Sequence, residues 1–231
     1  ERIARIDCHR VMMTVAPNKV FPADIAFMAQ QGVLVSLGHA EAKGEDVHGA
    51  LRAGARSFTH VFNAMSHMTA REPGMIGACL ADRESFCSVI VDRLHVDDTV
   101  MKVLFSAKPK DRIMLISDAM PPAAGGPDEF QLQGRRVRRV QNRLNLDDGT
   151  LAGSNLTMDE ALRNCVTLGV ELEDDVVQRA DDGTESALAL GKLVLTATPI
   201  RDVLHRRQRQ HRRRLTKQGV ERRHRRLPHP R

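Results

Sequence analysis

Four residues able to do hydrolytic chemistry each close a short apolar run. VLVSLGH (33–39) ends on His39, SFTH (57–60) on His60, FCSVIVD (86–92) on Asp92, and RIMLISDAM (112–120) carries Asp118 near its end. Two imidazoles and a carboxylate at separate strand ends are the raw material of a metal site. Imidazole suits zinc or iron, and a catalytic centre keeps one position open for water. A bound cation brings the pKa of that water toward about 7. A neighbouring aspartate can then take the proton and pass it to a leaving amine, and Asp118 is the candidate for that work. Each assignment has a plainer rival: a strand-end histidine can be a hydrogen-bonded core residue, and Asp118 can cap the turn after it. His9, His48 and His67 lack a comparable setting and read as surface or packing residues. Just past His60, the segment FTHVFNAMSHMTAREPG (58–74) adds Asn63 and Arg71 in a polar, helix-poor stretch closed by Pro-Gly.

The elements that must position these groups repeat one theme. FPADIAFMAQQG (21–32) reads as a helix feeding the first of the strands, and AEAKGEDVHGALRAG (40–54) as a helix closed by glycine. VDDTVMKVLFSAKP (96–109) reads as another, opened by Asp97 or Asp98 as N-cap. Strands that alternate with helices predict an α/β fold with a parallel sheet and crossover connections. Near-continuous apolar strands fit a sheet covered on both faces. A (β/α) barrel and an open doubly wound sheet both satisfy this pattern. Polar residues at the C-terminal ends of successive strands favour the barrel, which gathers its site there. The absence of a GxGxxG or P-loop after any strand weighs against nucleotide binding.

Between 130 and 152, FQLQGRRVRRVQNRLNLDDGT turns through Gly and Asp-Gly, which predicts a small β excursion. SNLTMDEALRNCVTLG (154–169) then opens an amphipathic helix, with Thr157 as N-cap and Glu160 completing a capping box. Of the 231 residues, 42% are hydrophobic and 3% aromatic, so the core must be aliphatic. No run is long and apolar enough for a membrane span. Four cysteines without CxxC spacing read as free thiols of a cytosolic protein. The net charge of +6 is uneven. Residues 201–231 hold 13 basic and 2 acidic side chains, while the other 200 residues are mildly acidic.

VSLGHAEA, THVFNAMSHMTAREPGMIGACL, VIVDRLHVD, LISDAMPPAAGG and DGTLAGSNLTMDEALRN together resemble the N-acetylglucosamine-6-phosphate deacetylases of the amidohydrolase superfamily. The resemblance runs from about residue 10 to 180. It implies a TIM-type (β/α)8 barrel, incomplete here, and hydrolysis of the N-acetyl group of N-acetylglucosamine 6-phosphate to glucosamine 6-phosphate and acetate. It implies His39 and His60 as ligands of one or two divalent ions, zinc or iron, and Asp118 as the catalytic aspartate. Asn63, Ala64 and Arg71 match positions that hold the sugar phosphate. His95 matches a substrate-binding histidine, with Asp92, Arg93 and Leu94 beside it, and Leu151, Ala152 and Gly153 match a loop lining the sugar pocket. A cytoplasmic homodimer is implied as well.

The sequence also departs from that pattern. An upstream portion carrying a metal-binding glutamate has no counterpart, so the chain reads as a fragment with two of three protein ligands. Arg93 stands where the family has glycine, and Ser117 replaces a threonine. Residues 1–192 are expected to form the partial barrel, with 193–231 as an Arg-rich tail that is disordered or frameshifted. That tail reads either as a frameshift product or as a basic nucleic-acid-binding segment. The alternative functions are a different amidohydrolase, to which Arg71 would offer nothing if the substrate were neutral, and a basic nucleic-acid-binding protein.

Overall fold

The structure, a computed structural model, describes residues 11–170. Cys8, His9, the 174–191 stretch and the basic tail lie outside those residues. Five short strands, β1 (Met12–Val15), β2 (Leu34–Leu37), β3 (Ser57–Phe58), β4 (Phe86–Ile90) and β5 (Ile113–Ile116), form one sheet in the order β1-β2-β3-β4-β5. Every pairing is parallel. The crossovers are α1 (Pro22–Gln30), α2 (Gly44–Arg52), α3 (Gly74–Ala81) and α4 (Asp98–Ala107), and α5 (Met158–Thr167) comes last.

The register separates the two faces. Val15 pairs with Leu37, Leu37 with Phe58, and Phe58 with Cys87. Since paired residues of parallel strands share a face, this row and its neighbours Val35, Val89 and Ile113 point the same way. All are buried with Ile25, Val47, Ala50, Met75, Cys79, Met101 and Leu104 in one core, so α1 to α4 cover a single face. The opposite face is polar in its middle, with Thr14, Ser36, Ser57 and Ser88. There the Thr59 hydroxyl lies 2.8 Å from that of Thr14 and 2.7 Å from that of Ser36.

Local chemistry sets the helix ends. Asp97 is the N-cap of α4, accepting from the Thr99 N–H at 2.7 Å. The α2 helix starts at Gly44 rather than near residue 40, because the Ala40 N–H donates to the Ala64 carbonyl in an isolated bridge. Thr157 occupies the N-cap position of α5, but its side chain makes no cap bond and the expected capping box with Glu160 does not form. A hydrogen bond with Thr157 instead holds the Asp159 carboxyl below its usual range. Two elements escaped the sequence reading. β1 is only MMTV, and α3 (GMIGACLA) is buried through six of its eight positions, so it shows no amphipathic stripe.

The 130–152 excursion is an antiparallel sheet of β6 (Glu129–Leu132), β7 (Arg135–Val140) and β8 (Arg143–Leu146). Gln133 and Gly134 turn β6 into β7, both at positive φ (51° and 78°), as a two-residue hairpin requires. Val137, Leu144 and Ala152 form its small core. Cys79, Cys87 and Cys165 are buried free thiols. Among the described residues no helix is long and apolar enough to cross a membrane.

Candidate active site

His39, His60, Asp92 and Asp118 each stand two residues beyond the end of their strand, β2, β3, β4 and β5 in turn. Parallel, in-order pairing therefore brings all four to the same end of the sheet. Three of them are held left-handed, with φ of 50° at His39, 33° at His60 and 50° at Asp118. His and Asp tolerate this region better than most residues. The conformation still costs about 1–3 kcal/mol each, a strain that collects at functional sites. It turns each side chain out of the strand's alternation and over the sheet's end.

His39 and His60 meet. Their Nε2 atoms are 2.8 Å apart, with ring centroids at 4.5 Å and planes 82° to each other. At that distance one Nε2–H donates to the other's lone pair, so the accepting ring carries no proton on its Nε2. Burial, and then the His39 ring, lower the His60 pKa, favouring the neutral form that ligates metals. The His60 backbone N–H donates to the Ser88 hydroxyl at 2.8 Å, which anchors the His60 backbone to β4. The His60 Nδ1 is buried without a partner. Asp118 is close enough to act on His60 electrostatically, favouring its charged form. Among the described residues no group of three or more His, Cys, Asp or Glu side chains converges.

The loop that follows His60 carries Asn63, Ala64 and Arg71. Phe62 and Ala64 have φ of 80° and 50°. The Asn63 N–H donates to the His60 carbonyl at 3.0 Å. Arg71 is exposed. After β4, the Asp92 carboxylate accepts from the Leu94 and His95 N–H groups at 2.9 and 2.8 Å and from the His95 Nδ1–H at 2.6 Å. Burial opposes ionisation of Asp92, but these bonds outweigh it and hold the carboxyl below its usual range. They also fix the orientation of the His95 ring, with its Nδ1–H toward Asp92. Arg93, at φ 62°, is turned away and forks onto Asp98.

Of the 151–153 loop, Gly153 approaches Asp118, a Cβ there falling 3.2 Å from the Asp118 carbonyl oxygen, while Leu151 and Ala152 pair with β8. Leu151 bridges Asn145, and the Ala152 N–H donates to the Leu144 carbonyl at 3.0 Å. Gly153 has φ 70°, and a Cβ there would fall 2.5 Å from the Met120 Cγ, so only glycine passes. The Ser154 N–H donates to the Asp118 carbonyl at 2.9 Å, and the Ser154 hydroxyl donates to the Ser117 carbonyl. Ser154 was missed as a positioning residue, although it sits inside the GTLAGSNLTM block; its partners are backbone groups that no side-chain pattern encodes. Asn164 was missed for the same reason: its amide donates to the Val91 carbonyl at 2.7 Å and ties α5 to the end of β4.

No family model matches the chain. It is 40% identical over 156 residues to an N-acetylgalactosamine-6-phosphate deacetylase of Shewanella sp. (strain ANA-3), covering 68% of this chain and 40% of that relative. It is 35% identical over 153 residues to an N-acetylglucosamine-6-phosphate deacetylase of Lysinibacillus sphaericus, covering 66% and 40%. Among solved structures, a variant N-acetyl-D-glucosamine-6-phosphate deacetylase of Mycobacterium smegmatis, in complex with N-acetyl-D-glucosamine-6-phosphate, superposes with a TM-score of 0.67 at 31% identity, covering 80% of this chain and 50% of that one. The chain thus spans about 40% of the length of the curated relatives it matches.

Proposed function

We propose, from the premise that this chain belongs to the N-acetylglucosamine-6-phosphate deacetylase family, that it carries the catalytic half of an enzyme hydrolysing the N-acetyl group of a hexosamine 6-phosphate. The observation that carries this reading is the meeting of the His39 and His60 Nε2 atoms at 2.8 Å beside Asp118. Two imidazoles converging through Nε2 suit a divalent cation, zinc or iron, as two of its donors, and the third donor is not among the described residues. A cation bound there would supply Lewis acidity and a water of lowered pKa.

The chain's own residues do the rest. Asp118 takes a proton from the attacking water and returns it to the leaving amine nitrogen. Arg71 offers a guanidinium fork to the phosphate, supported by Asn63 and the backbone at Ala64. His95 presents its Nε2 to the sugar, with Asp92, Arg93 and Leu94 forming the loop that carries it. Leu151, Ala152 and Gly153 wall the pocket beside Asp118. Phosphate binding is remote from the amide and can be used to orient it.

The sheet reads as an arc of a (β/α)8 barrel. Sequential strand order, helices on one face and a polar opposite face support this over a doubly wound sheet, whose order reverses at a switch point. A cytoplasmic homodimer is the assembly the resemblance favours. The sugar has a second reading, N-acetylgalactosamine 6-phosphate, favoured by the 40% identity to the galactosamine-type relative against 35% to the glucosamine-type one.

The test follows acetate release from each epimer with added zinc or iron, using the chain itself and a chimera that carries residues 11–170 in the Shewanella relative. Release from one epimer, reduced about 10²- to 10⁴-fold by Asp118→Asn, is the expected result. Equal turnover by the Asp118→Asn chimera would remove Asp118 from the mechanism.

A further inference from the structure

We propose that Glu72 is the positioning residue that holds the Arg71 loop ready for a phosphate, an inference that rests on the reading of Asn63, Ala64 and Arg71 given above. One carboxylate oxygen, Glu72 Oε1, accepts from the Gly44 N–H at 2.8 Å and the Gly74 N–H at 2.9 Å. These are the first residues of α2 and α3, whose leading N–H groups have no partner within their helices. Glu72 thus ties the loop after β2, which carries His39, to the loop after β3, which carries His60, Asn63 and Arg71.

The fit around that oxygen is close. A Cβ on Gly44 would fall 2.5 Å from the Pro73 Cγ and 3.3 Å from Glu72 Oε1. On Gly74, at φ 57°, it would fall 2.5 Å from the His67 carbonyl oxygen. A side chain at either glycine would push the helix start away from the carboxylate.

Glu72 is itself fixed at both ends of a turn. The Thr69 N–H donates to the Glu72 carbonyl at 2.8 Å, and the Glu72 N–H donates to the Thr69 hydroxyl at 3.1 Å. Ser66 fastens the other side of the loop, its hydroxyl donating to the Ala42 carbonyl at 2.5 Å and accepting from the Met75 N–H at 2.9 Å. Arg71 stands between these anchors, and its side chain makes no hydrogen bond or ion pair among the described residues. The backbone is held while the guanidinium stays free. An arriving anion then has only the Arg71 side chain to order, the loop backbone being already in place, which is how preorganisation raises affinity.

What Glu72 supplies in this arrangement is an acceptor oxygen in the right place, and glutamine keeps that oxygen while alanine removes it. Calorimetric titration of the 231-residue chain with glucosamine 6-phosphate, together with amide exchange over residues 61–76, tests the role. Glu72→Ala is expected to weaken binding about tenfold and to speed exchange across the loop, with Arg71→Ala marking the full loss of the phosphate contact. Glu72→Gln is expected to stay within about twofold of the parent chain in both readouts. Unchanged affinity in Glu72→Ala, or an equal loss in Glu72→Gln, overturns the role while leaving the phosphate site standing. No binding by the parent chain removes the phosphate reading, and this role falls with it.

Discussion

Asp92 illustrates how a carboxylate can belong to a site and still have its lone pairs committed. It is taken up by two loop N–H groups and the His95 ring, and its pKa lies below the ordinary value. The unfolded chain, with the higher pKa, takes up the proton first as pH falls. The stability Asp92 contributes is therefore complete above the ordinary aspartate pKa of about 4 and is lost as pH drops through the lower folded value. Thermal unfolding followed from pH 7 to pH 3 should show a flat melting temperature and then a decline. In Asp92→Asn that decline should be shallower, from a lower starting point; an unaltered slope would mean the His95 tie carries no stability. At this scale the sequence was most legible in its polar strand-end residues, His39, His60 and Asp118, which the fold brings to one end of the sheet. It was least legible at Glu72, Ser154 and Asn164, whose partners are backbone groups brought near only by the fold.

Elements depend on a few positions where only one residue type fits. Gly74 opens α3 at φ 57°, with Ser66 and His67 carbonyls where a Cβ would stand. Gly74→Ala should therefore cost at least the 1–3 kcal/mol of a left-handed non-glycine residue, roughly. The melting temperature should fall by about 5 °C, and the alternative Gly49→Ala, on α2 with open space around its Cβ, should not lower it. Equal melting of the two variants would show that the α3 start can relax. The same contrast explains what sequence reading caught. Strand-ending polar residues and the Asp97 cap were readable because they are local signals. The α3 helix was hidden by burial on all sides, and β1 by its four-residue length. The late start of α2 was set by a long-range bridge to Met65 that no local propensity encodes.

For the whole molecule, periodicity alone could not choose between a barrel arc and a doubly wound sheet, because both alternate strand and helix. The reading proposed above as a barrel arc rests on strand order and the coverage of a single face, and both follow from long-range pairing. That architecture places His39 and His60 on separate strand ends, so a cation held between them would join two units of the fold rather than decorate one. A ligand that binds only the folded state stabilises it in proportion to RT ln(1 + [L]/Kd), about 1.4 kcal/mol at ten times Kd. Zinc titrated into the metal-stripped chain should then raise its melting temperature by roughly 3–5 °C. The chain with both His39→Ala and His60→Ala should show no such rise. The control has to be this double variant, since Cys8, His9 and four histidines beyond residue 200 offer donors elsewhere in the chain. A rise of equal size in the double variant would assign the stabilising cation to those other donors and detach the strand-end imidazoles from metal binding altogether.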